Sequence, residues 1–142
     1  MFEYIDTPMC EFHITAVLLN LYAKLMGNNK LSYDYVKETK NYIKTFYASH
    51  IKIEYIAKQL HLSPQYLSRY FKANTGISIQ QYIINTRIKN AKYFLSQGYT
   101  VDDTALAVGF NDTSNFSKIF KREVGKSPIE YKKSNFKIHT TD

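Results

Sequence analysis

Apolar residues recur at intervals of three and four along most of this 142-residue chain, which is the spacing of one face of an α-helix. Residues 11–26 carry two apolar seams side by side, more than a single packing face requires. Gly27 then ends this first helix. Since no segment alternates convincingly with the period of a β-strand, the pattern predicts an all-α protein.

Further helical segments are predicted after residue 31. One runs from a capping Ser32 to about residue 48. Its apolar stripe consists of Val36, Ile43, Phe46 and Tyr47. A long helix is predicted over residues 79–97. Its inward positions are Ile79, Tyr82, Ile83, Ile88, Ala91 and Leu95. Ser127 and Pro128 begin a final helical turn or two, and residues 134–142 are expected to be a frayed tail.

Residues 53–76 and residues 101–125 form an internal sequence repeat. Ile53, Ala57, Leu60 and Leu62 correspond to Val101, Ala105, Val108 and Phe110 at an offset of 48 residues. From Ser63 and Asp112 onward the offset is 49, because the second copy has one extra residue in its turn. Each copy consists of a helix, a tight turn and a capped helix, which is the helix-turn-helix arrangement.

The second helix of each copy has an apolar side and a polar outer face. The first outer face consists of Gln65, Ser68, Arg69 and Lys72, and the second of Ser114, Ser117, Lys118 and Lys121. Such side chains suit the edges of DNA bases: Arg pairs with guanine, Gln with adenine and Ser with either donors or acceptors. Any surface helix also has a polar face, so the argument depends on two copies in register.

The charge distribution favours a polyanionic partner. The chain carries a net charge of +7, and no carboxylate lies between Glu54 and Asp102. Six bases occupy that interval: Lys58, Arg69, Lys72, Arg87, Lys89 and Lys92. A lysine-rich composition with solvated faces is the alternative explanation.

Several other protein classes are disfavoured by the sequence. No run of 18 apolar residues would span a membrane, no secretory signal is evident, and Cys10 has no partner for an internal disulfide. The four His residues are scattered, and no phosphate loop, metal motif or nucleophile elbow is present. We therefore do not expect an enzyme, a bound metal or a cofactor. We expect a cytoplasmic protein associated with the nucleoid.

The repeated motifs resemble the DNA-binding domain of the AraC/XylS family of bacterial transcription regulators. The matching runs are "IAKQLHLSPQYLSRYFKANTGISIQQYI", "RIKNAKYFL" and "ALAVGFNDTSNFSKIFKREVGKSPIEYKK". The resemblance implies a homeodomain-like, AraC-type domain over residues 32–133, with helix-turn-helix subdomains at 53–76 and 101–125 joined by the linker helix 79–97. That linker would hold two recognition helices about one DNA turn apart, ~34 Å, for successive major grooves.

The resemblance also implies which residues contact double-stranded DNA. The base-reading positions would be Gln65, Ser68, Arg69, Thr113, Ser114, Ser117 and Lys118. The phosphate contacts would come from Ser63, Tyr66, Lys72, Asp112 and Lys121, with backbone N–H groups at the helix starts. RNA polymerase is a further candidate partner.

Two residues depart from the family pattern. Thr104 stands where an aliphatic residue is usual, and its buried hydroxyl is expected to bond a backbone carbonyl one turn back. Lys118 stands where Arg is common and lacks the two-donor fork of a guanidinium. We therefore expect the first unit to discriminate between sequences more than the second.

Residues 1–31 are interpreted as the helical tail of a sensing or dimerisation domain that precedes the DNA-binding domain in a longer regulator. A homodimer would then form through residues 11–26. Its proposed face consists of Ile14, Leu18, Leu21 and Leu25. Alternatively, this helix folds back on the DNA-binding core. A sensor-less module that regulates a full-length partner by helix pairing is the rival function, and RNA binding is a weaker third.

Overall fold

The computed structural model describes Leu18 and residues 34–136. Residues 34–136 contain seven helices and no strand, which confirms the all-α prediction for this part of the chain. The helices are α1 (Tyr35–Phe46), α2 (Ile53–Gln59), α3 (Pro64–Thr75), α4 (Ile79–Ser96), α5 (Val101–Ala107), α6 (Thr113–Val124) and α7 (Pro128–Phe136). The predicted helix over residues 11–26 lies outside the described residues except for Leu18, which is helical.

The described chain forms two compact units, each with one helix-turn-helix. The first unit contains residues 34–41 and 52–77, with α2 and α3 packed together. The second contains residues 42–51 and 78–136, where α4 packs against α5, α6 and α7. The helix α1 contributes to both units, and the long helix α4 belongs to the second.

Helix α1 departs from its predicted stripe. Its last residue, Phe46, is 46% exposed, and its ring contacts that of Tyr42 with 4.8 Å between the centroids. The buried face instead includes Tyr35 and Thr39 together with the expected Ile43. The expected cap Ser32 lies outside the described residues. Asp34 takes the capping role, since its Oδ1 accepts the amide of Lys37 at 3.0 Å.

The first helix of each repeat ends in the same backbone turn. After α2, the amide of Leu62 donates to the Ala57 carbonyl at 2.8 Å. After α5, the amide of Phe110 donates to the Ala105 carbonyl at 2.9 Å. Both pairs are the six-residue bond of a Schellman motif, which satisfies carbonyls that the helix leaves unpaired. The residues just before Leu62 and Phe110 have positive φ angles.

The second helix of each repeat also begins and ends alike. Both α3 and α6 have 12 residues and start at a side-chain cap, Ser63 in one and Asp112 in the other. Both end at a left-handed glycine, Gly76 with φ 79° and Gly125 with φ 81°. A glycine adopts this conformation without the steric penalty of a Cβ atom.

The two cores use equivalent positions of the repeat. In the first unit the buried hydrophobic residues include Ile56, Ala57, Leu62, Leu67 and Phe71. In the second they include Ile88, Ala91, Leu95, Ala105, Val108, Phe110, Phe116 and Phe120. The inward positions predicted for α4 are confirmed as buried, except that Tyr82 is half-buried. Burial raises the pKa of Tyr82.

The expectation for the Thr104 hydroxyl is wrong. Thr104 is fully buried, yet its Oγ1 has no hydrogen-bond partner among the described residues. The carbonyl one turn back, on Thr100, accepts the Thr104 amide at 3.0 Å but not the hydroxyl. A buried hydroxyl without a partner has lost its hydration with no compensation, so it is destabilising.

The C-terminal helix is longer than predicted. Helix α7 spans nine residues and reaches Phe136, so residues 134–136 are helical rather than a frayed tail. Its start is as expected, with Ser127 Oγ accepting the Glu130 amide at 3.3 Å. Within this helix, Lys132 Nζ donates to the carbonyls of Gly98 and Tyr99, at 2.8 and 2.9 Å. These contacts tie α7 to the turn after α4.

Candidate nucleic-acid interface

The first outer face lies on α3 with its residues directed away from the core. Gln65, Arg69 and Lys72 are exposed and Ser68 is half-buried, while Leu67 and Phe71 on the opposite side are fully buried. Pro64 and the Gln65, Ser68 and Arg69 side chains line a shallow groove of ≈ 640 Å³, together with residues of α2. The structure thus brings the three base-reading candidates of this unit to one surface.

The second outer face repeats this arrangement on α6. Ser114, Lys118 and Lys121 are exposed and Ser117 is half-buried. The predicted base-reading residue Thr113, at the first position of the helix, is half-buried. Phe116 and Phe120 are buried behind this face, with 5.6 Å between ring centroids. Ser68 and Ser117, which are repeat-equivalent, are both half-buried.

Tyr66, predicted to contact phosphate, belongs to a row of aromatic rings in the first unit. Its ring stacks on Tyr70 at 5.9 Å between centroids, and Tyr70 meets Tyr35 edge-on at 5.6 Å. Tyr35 is buried. The row therefore fixes the ring of Tyr66 beside the start of α3.

The two capping residues are already engaged with the backbone. Ser63 Oγ accepts the amide of Tyr66 at 3.2 Å. The Asp112 carboxylate accepts the amides of Ser114 and Asn115 at 3.0 and 3.1 Å. Helix α6 therefore begins at a carboxylate that already accepts two of its N-terminal amides. The start of α6 is for this reason less favourable for a phosphate than the start of α3.

Two carboxylates near these faces were not singled out from the sequence. Glu54, on α2, lines the groove beside Gln65 and Arg69. Glu123, near the end of α6, accepts two bonds from Arg122, the shorter at 2.7 Å, and one from Gln81 at 3.2 Å. Glu54 and Asp102 are both acidic and correspond to each other at the 48-residue offset of the repeat. This shared acidic position was a signal in the sequence that could have drawn attention to Glu54.

Neither face carries an acidic residue in its first turn. Helix α3 contains Arg69 and Lys72 with no carboxylate. Helix α6 contains Lys118, Lys121 and Arg122 against Glu123 alone. Both helices are therefore net positive, which attracts a polyanion.

Two further features of the described residues concern metal binding and membrane crossing. Within residues 34–136, no three His, Cys, Asp or Glu side chains come together as metal ligands would. No helix in the described part of the chain has the length and apolar character needed to cross a membrane. Of the proposed dimerisation face, only Leu18 is described, and it is 57% exposed. Ile14, Leu21 and Leu25 lie outside the described residues.

A family model described as a helix-turn-helix domain, of the AraC type, matches residues 56–134, more than half of the chain. The chain belongs to the AraC/XylS family of transcriptional regulators. The resemblance inferred from the repeated motifs is thereby confirmed. The AraC-type match covers both outer faces and the whole of α4.

Individual AraC/XylS relatives agree with this assignment. The Msm operon regulatory protein of Streptococcus mutans is 33% identical over 144 residues, which cover 92% of this chain and 52% of that protein. This chain therefore spans about half the length of that relative. The C-terminal domain of AraT, a response regulator from Geobacillus stearothermophilus, is 30% identical with a TM-score of 0.69, covering 72% of this chain and 86% of that domain.

A further solved structure shares the fold. The DNA-binding domain of AdpA, solved in complex with a target DNA, superposes with a TM-score of 0.71 at 23% identity. The match covers 78% of this chain and 100% of that domain. These likenesses confirm the AraC-type all-helical fold.

Proposed function

We propose that this protein binds double-stranded DNA at a defined sequence and regulates transcription of nearby genes. The observation that carries the proposal is that α3 and α6 have matched ends and matched polar faces without an acidic first turn. Membership of a family of DNA-binding regulators supports it, as does the likeness to a domain solved with DNA. The site of action would be the bacterial nucleoid, in the cytoplasm.

The first outer face would supply most of the sequence discrimination. The exposed Arg69 guanidinium has the two-donor geometry that pairs with guanine O6 and N7, and Gln65 can pair in the same way with adenine. Ser68 lies between them on the same groove and can donate or accept. Lys72, one turn further along, would pair with a phosphate.

The second outer face would contribute more to affinity than to discrimination. Lys118 offers a point charge rather than a fork, and Thr113, Ser114 and Ser117 each offer a single hydroxyl. Lys121 would contact phosphate. Asp112 already accepts hydrogen bonds from two amides at the start of α6. We therefore expect the lysines of α6, rather than its N-terminal amides, to contact the DNA phosphates.

The test is a fluorescence-anisotropy titration of the full chain with DNA from upstream of its own gene, at several salt concentrations. We expect binding that weakens steeply with salt, because each neutralised phosphate releases counterions. A shuffled duplex of the same composition is the control and should bind more weakly at every salt concentration. Absence of binding at low salt, or equal binding to both duplexes, would contradict the proposal.

A homodimer through residues 11–26 and a contact with RNA polymerase complete the proposal. The two apolar seams in the sequence of residues 11–26 support the dimer, and Leu18, the one residue of the proposed face that the structure describes, is exposed. Sedimentation at two protein concentrations, with and without residues 1–30, tests it. A strict monomer with the segment present would exclude the dimer. Co-sedimentation with RNA polymerase on the bound DNA tests the second contact.

A further inference from the structure

Arg87, on the long helix α4, makes three contacts that the DNA-binding proposal does not use. Its Nε donates to the Tyr47 carbonyl at 2.8 Å, and its Nη2 donates to the Ser49 carbonyl at 2.9 Å. Its Cζ lies 5.4 Å from the centroid of the Phe110 ring. One half-buried guanidinium therefore joins the segment after α1 to the turn that precedes α6, all within the second unit.

The turn that Arg87 contacts is closely packed on its other sides. The ring of Phe110 lies between Arg87 and Phe116 of α6, with 5.3 Å between the two ring centroids. The neighbouring Gly109 approaches Ala48 so closely that an added Cβ would lie 2.6 Å from the Ala48 oxygen. The residues flanking Ala48 are the two whose carbonyls Arg87 holds.

We propose that Arg87 is a positioning residue for the second DNA-reading helix: through Phe110 and the segment 47–49 it sets the direction in which α6 leaves its turn. The expected effect of Arg87 on base discrimination rests on the proposed DNA-binding function. Its effect on the position of α6 does not depend on that function. Arg87 itself need not touch DNA. Its effect is transmitted from the Phe110 ring to Phe116, one residue from the reading position Ser117.

The contacts require an arginine rather than any cation. Two donors in a fixed plane reach the two carbonyls, and the positive charge of the same group lies within cation–π distance of the Phe110 ring. A lysine ammonium is a compact point charge without this fixed planar pair of donors, so it would not reproduce the same set of contacts. Burial lowers the pKa of Arg87, which indicates partial desolvation, and a guanidinium keeps its charge under such conditions.

The first arm of the test measures amide hydrogen exchange without DNA. The variants are Arg87→Met, which keeps the length of the side chain, and Arg87→Lys, which keeps the charge. Lys89→Met, at an exposed position of the same helix, is the matched control. In Arg87→Met we expect exchange at the start of α6, from Asn115 to Ser117, to rise by at least about tenfold, while α3 is unchanged.

The second arm measures binding to duplexes altered at single base pairs. In Arg87→Met, discrimination should fall at the base pairs read by α6, about tenfold at the most selective one, and stay unchanged at those read by α3. Arg87→Lys should be intermediate, and it replaces Arg87→Met if the latter does not fold. Lys89→Met should retain the full pattern of discrimination.

The outcomes separate the two proposals. Equal acceleration of exchange in α3 and α6, or none in α6, overturns the positioning role, as does a folded Arg87→Met protein with unaltered discrimination. Failure of the unaltered protein to distinguish any base pair would instead contradict the DNA-binding proposal. The exchange arm then decides the structural role of Arg87 independently.

Discussion

His61 and Gly109 occupy the same position in the two repeats, each being the second residue after the end of the first helix. Both have positive φ, 55° at His61 and 91° at Gly109. His61 has an exposed side chain and is of a type enriched at positive φ among non-glycine residues, whereas Gly109 lies against the Ala48 carbonyl with no room for a Cβ. The same backbone turn therefore accommodates a side chain in the first unit and only a glycine in the second.

Replacement of Gly109 by alanine should destabilise the protein strongly. The new Cβ would both strain the left-handed backbone and press on the Ala48 carbonyl, for a cost of roughly 3 kcal/mol or more. Urea unfolding monitored by circular dichroism measures the change in the free energy of unfolding. The matched control is Gly76→Ala, which has φ 79° but open space around it and should cost about 1 kcal/mol. Equal costs would show that packing at Ala48 is unimportant.

Replacement of Thr104 by valine should stabilise the protein. Valine keeps the shape of threonine and removes a buried hydroxyl that has no partner in the described structure, so we expect a gain of about 1–2 kcal/mol. The free energy of unfolding in urea measures it. The control is Thr100→Val, four residues earlier. That change removes the cap that accepts the Asp103 amide at 3.0 Å and should cost about 1 kcal/mol. A loss of stability in Thr104→Val would mean that the hydroxyl is satisfied in solution.

Replacement of Arg69 and of Lys118 by alanine should affect DNA binding in different ways. Loss of the Arg69 fork should reduce discrimination at one base pair by about 1–3 kcal/mol. Loss of Lys118 should weaken binding to all duplexes alike and lower the slope of log affinity against log salt by about 1. A panel of single-base-pair variants of the bound duplex, titrated by anisotropy, distinguishes the two. Equal loss of base preference from both variants would refute the expected division between the units.

Replacement of Asp112 by serine should strengthen DNA binding. The change copies the cap of the first unit, Ser63, and removes a negative charge from the start of α6. We expect the affinity to rise several-fold at low salt and the difference to shrink at high salt. Asp112→Ala is the control, because it removes the same charge but also the cap, at a cost of about 1 kcal/mol in stability. Weaker binding by Asp112→Ser would indicate that the carboxylate has a role at the interface.

Glu130 should contribute a pH-dependent part of the stability. Its carboxylate accepts the amide and the hydroxyl of Ser127, both at 2.7 Å, and these bonds hold the pKa of Glu130 below its ordinary value of 4.5. A group with a lowered folded-state pKa stabilises above its unfolded pKa and loses that contribution as pH falls through the folded value. The difference in melting temperature between the unaltered protein and Glu130→Gln should therefore shrink in acid.

The control for this prediction is Ser127→Ala, which removes the hydroxyl bond to the carboxylate and the cap on the Glu130 amide, but leaves the carboxylate and the bond from the Ser127 amide. Its melting temperature should fall below that of the unaltered protein near neutral pH, and the difference should shrink in acid but not vanish, because loss of the cap does not depend on pH. A difference between Glu130→Gln and the unaltered protein that is constant across the acid range would mean that the pKa of Glu130 is not lowered.

Local features of the fold were predictable because they depend on residues close in sequence. Ser63 and Gly76 mark the ends of α3 by their own backbone chemistry, and the periodicity of α4 identified Ile79, Ile88 and Leu95 as buried. The outer faces followed from the same helical geometry. Their contact with DNA remains a prediction.

Contacts between distant segments were not predictable in this way. The bonds from Arg87 to the carbonyls of Tyr47 and Ser49 join residues about 40 positions apart, and nothing in either local sequence specifies them. The bonds from Lys132 to the carbonyls of Gly98 and Tyr99 are a second case. Thr104 was recognised as unusual, but its lack of a partner depends on how its helix packs.

Helices α3 and α6 have the same length and the same glycine end, and they differ at the cap, which is Ser63 in one and Asp112 in the other. Each has twelve residues between a cap and a left-handed glycine, with the core positions inside and four outer positions at the same spacing. The outer positions can therefore be exchanged between the units, for example by Ser114→Gln and Lys118→Arg, without altering the cap or the glycine of either helix. A scaffold built in this way lets its outer residues diversify while its packing stays constant, which suits it to engineering as well as to evolutionary change.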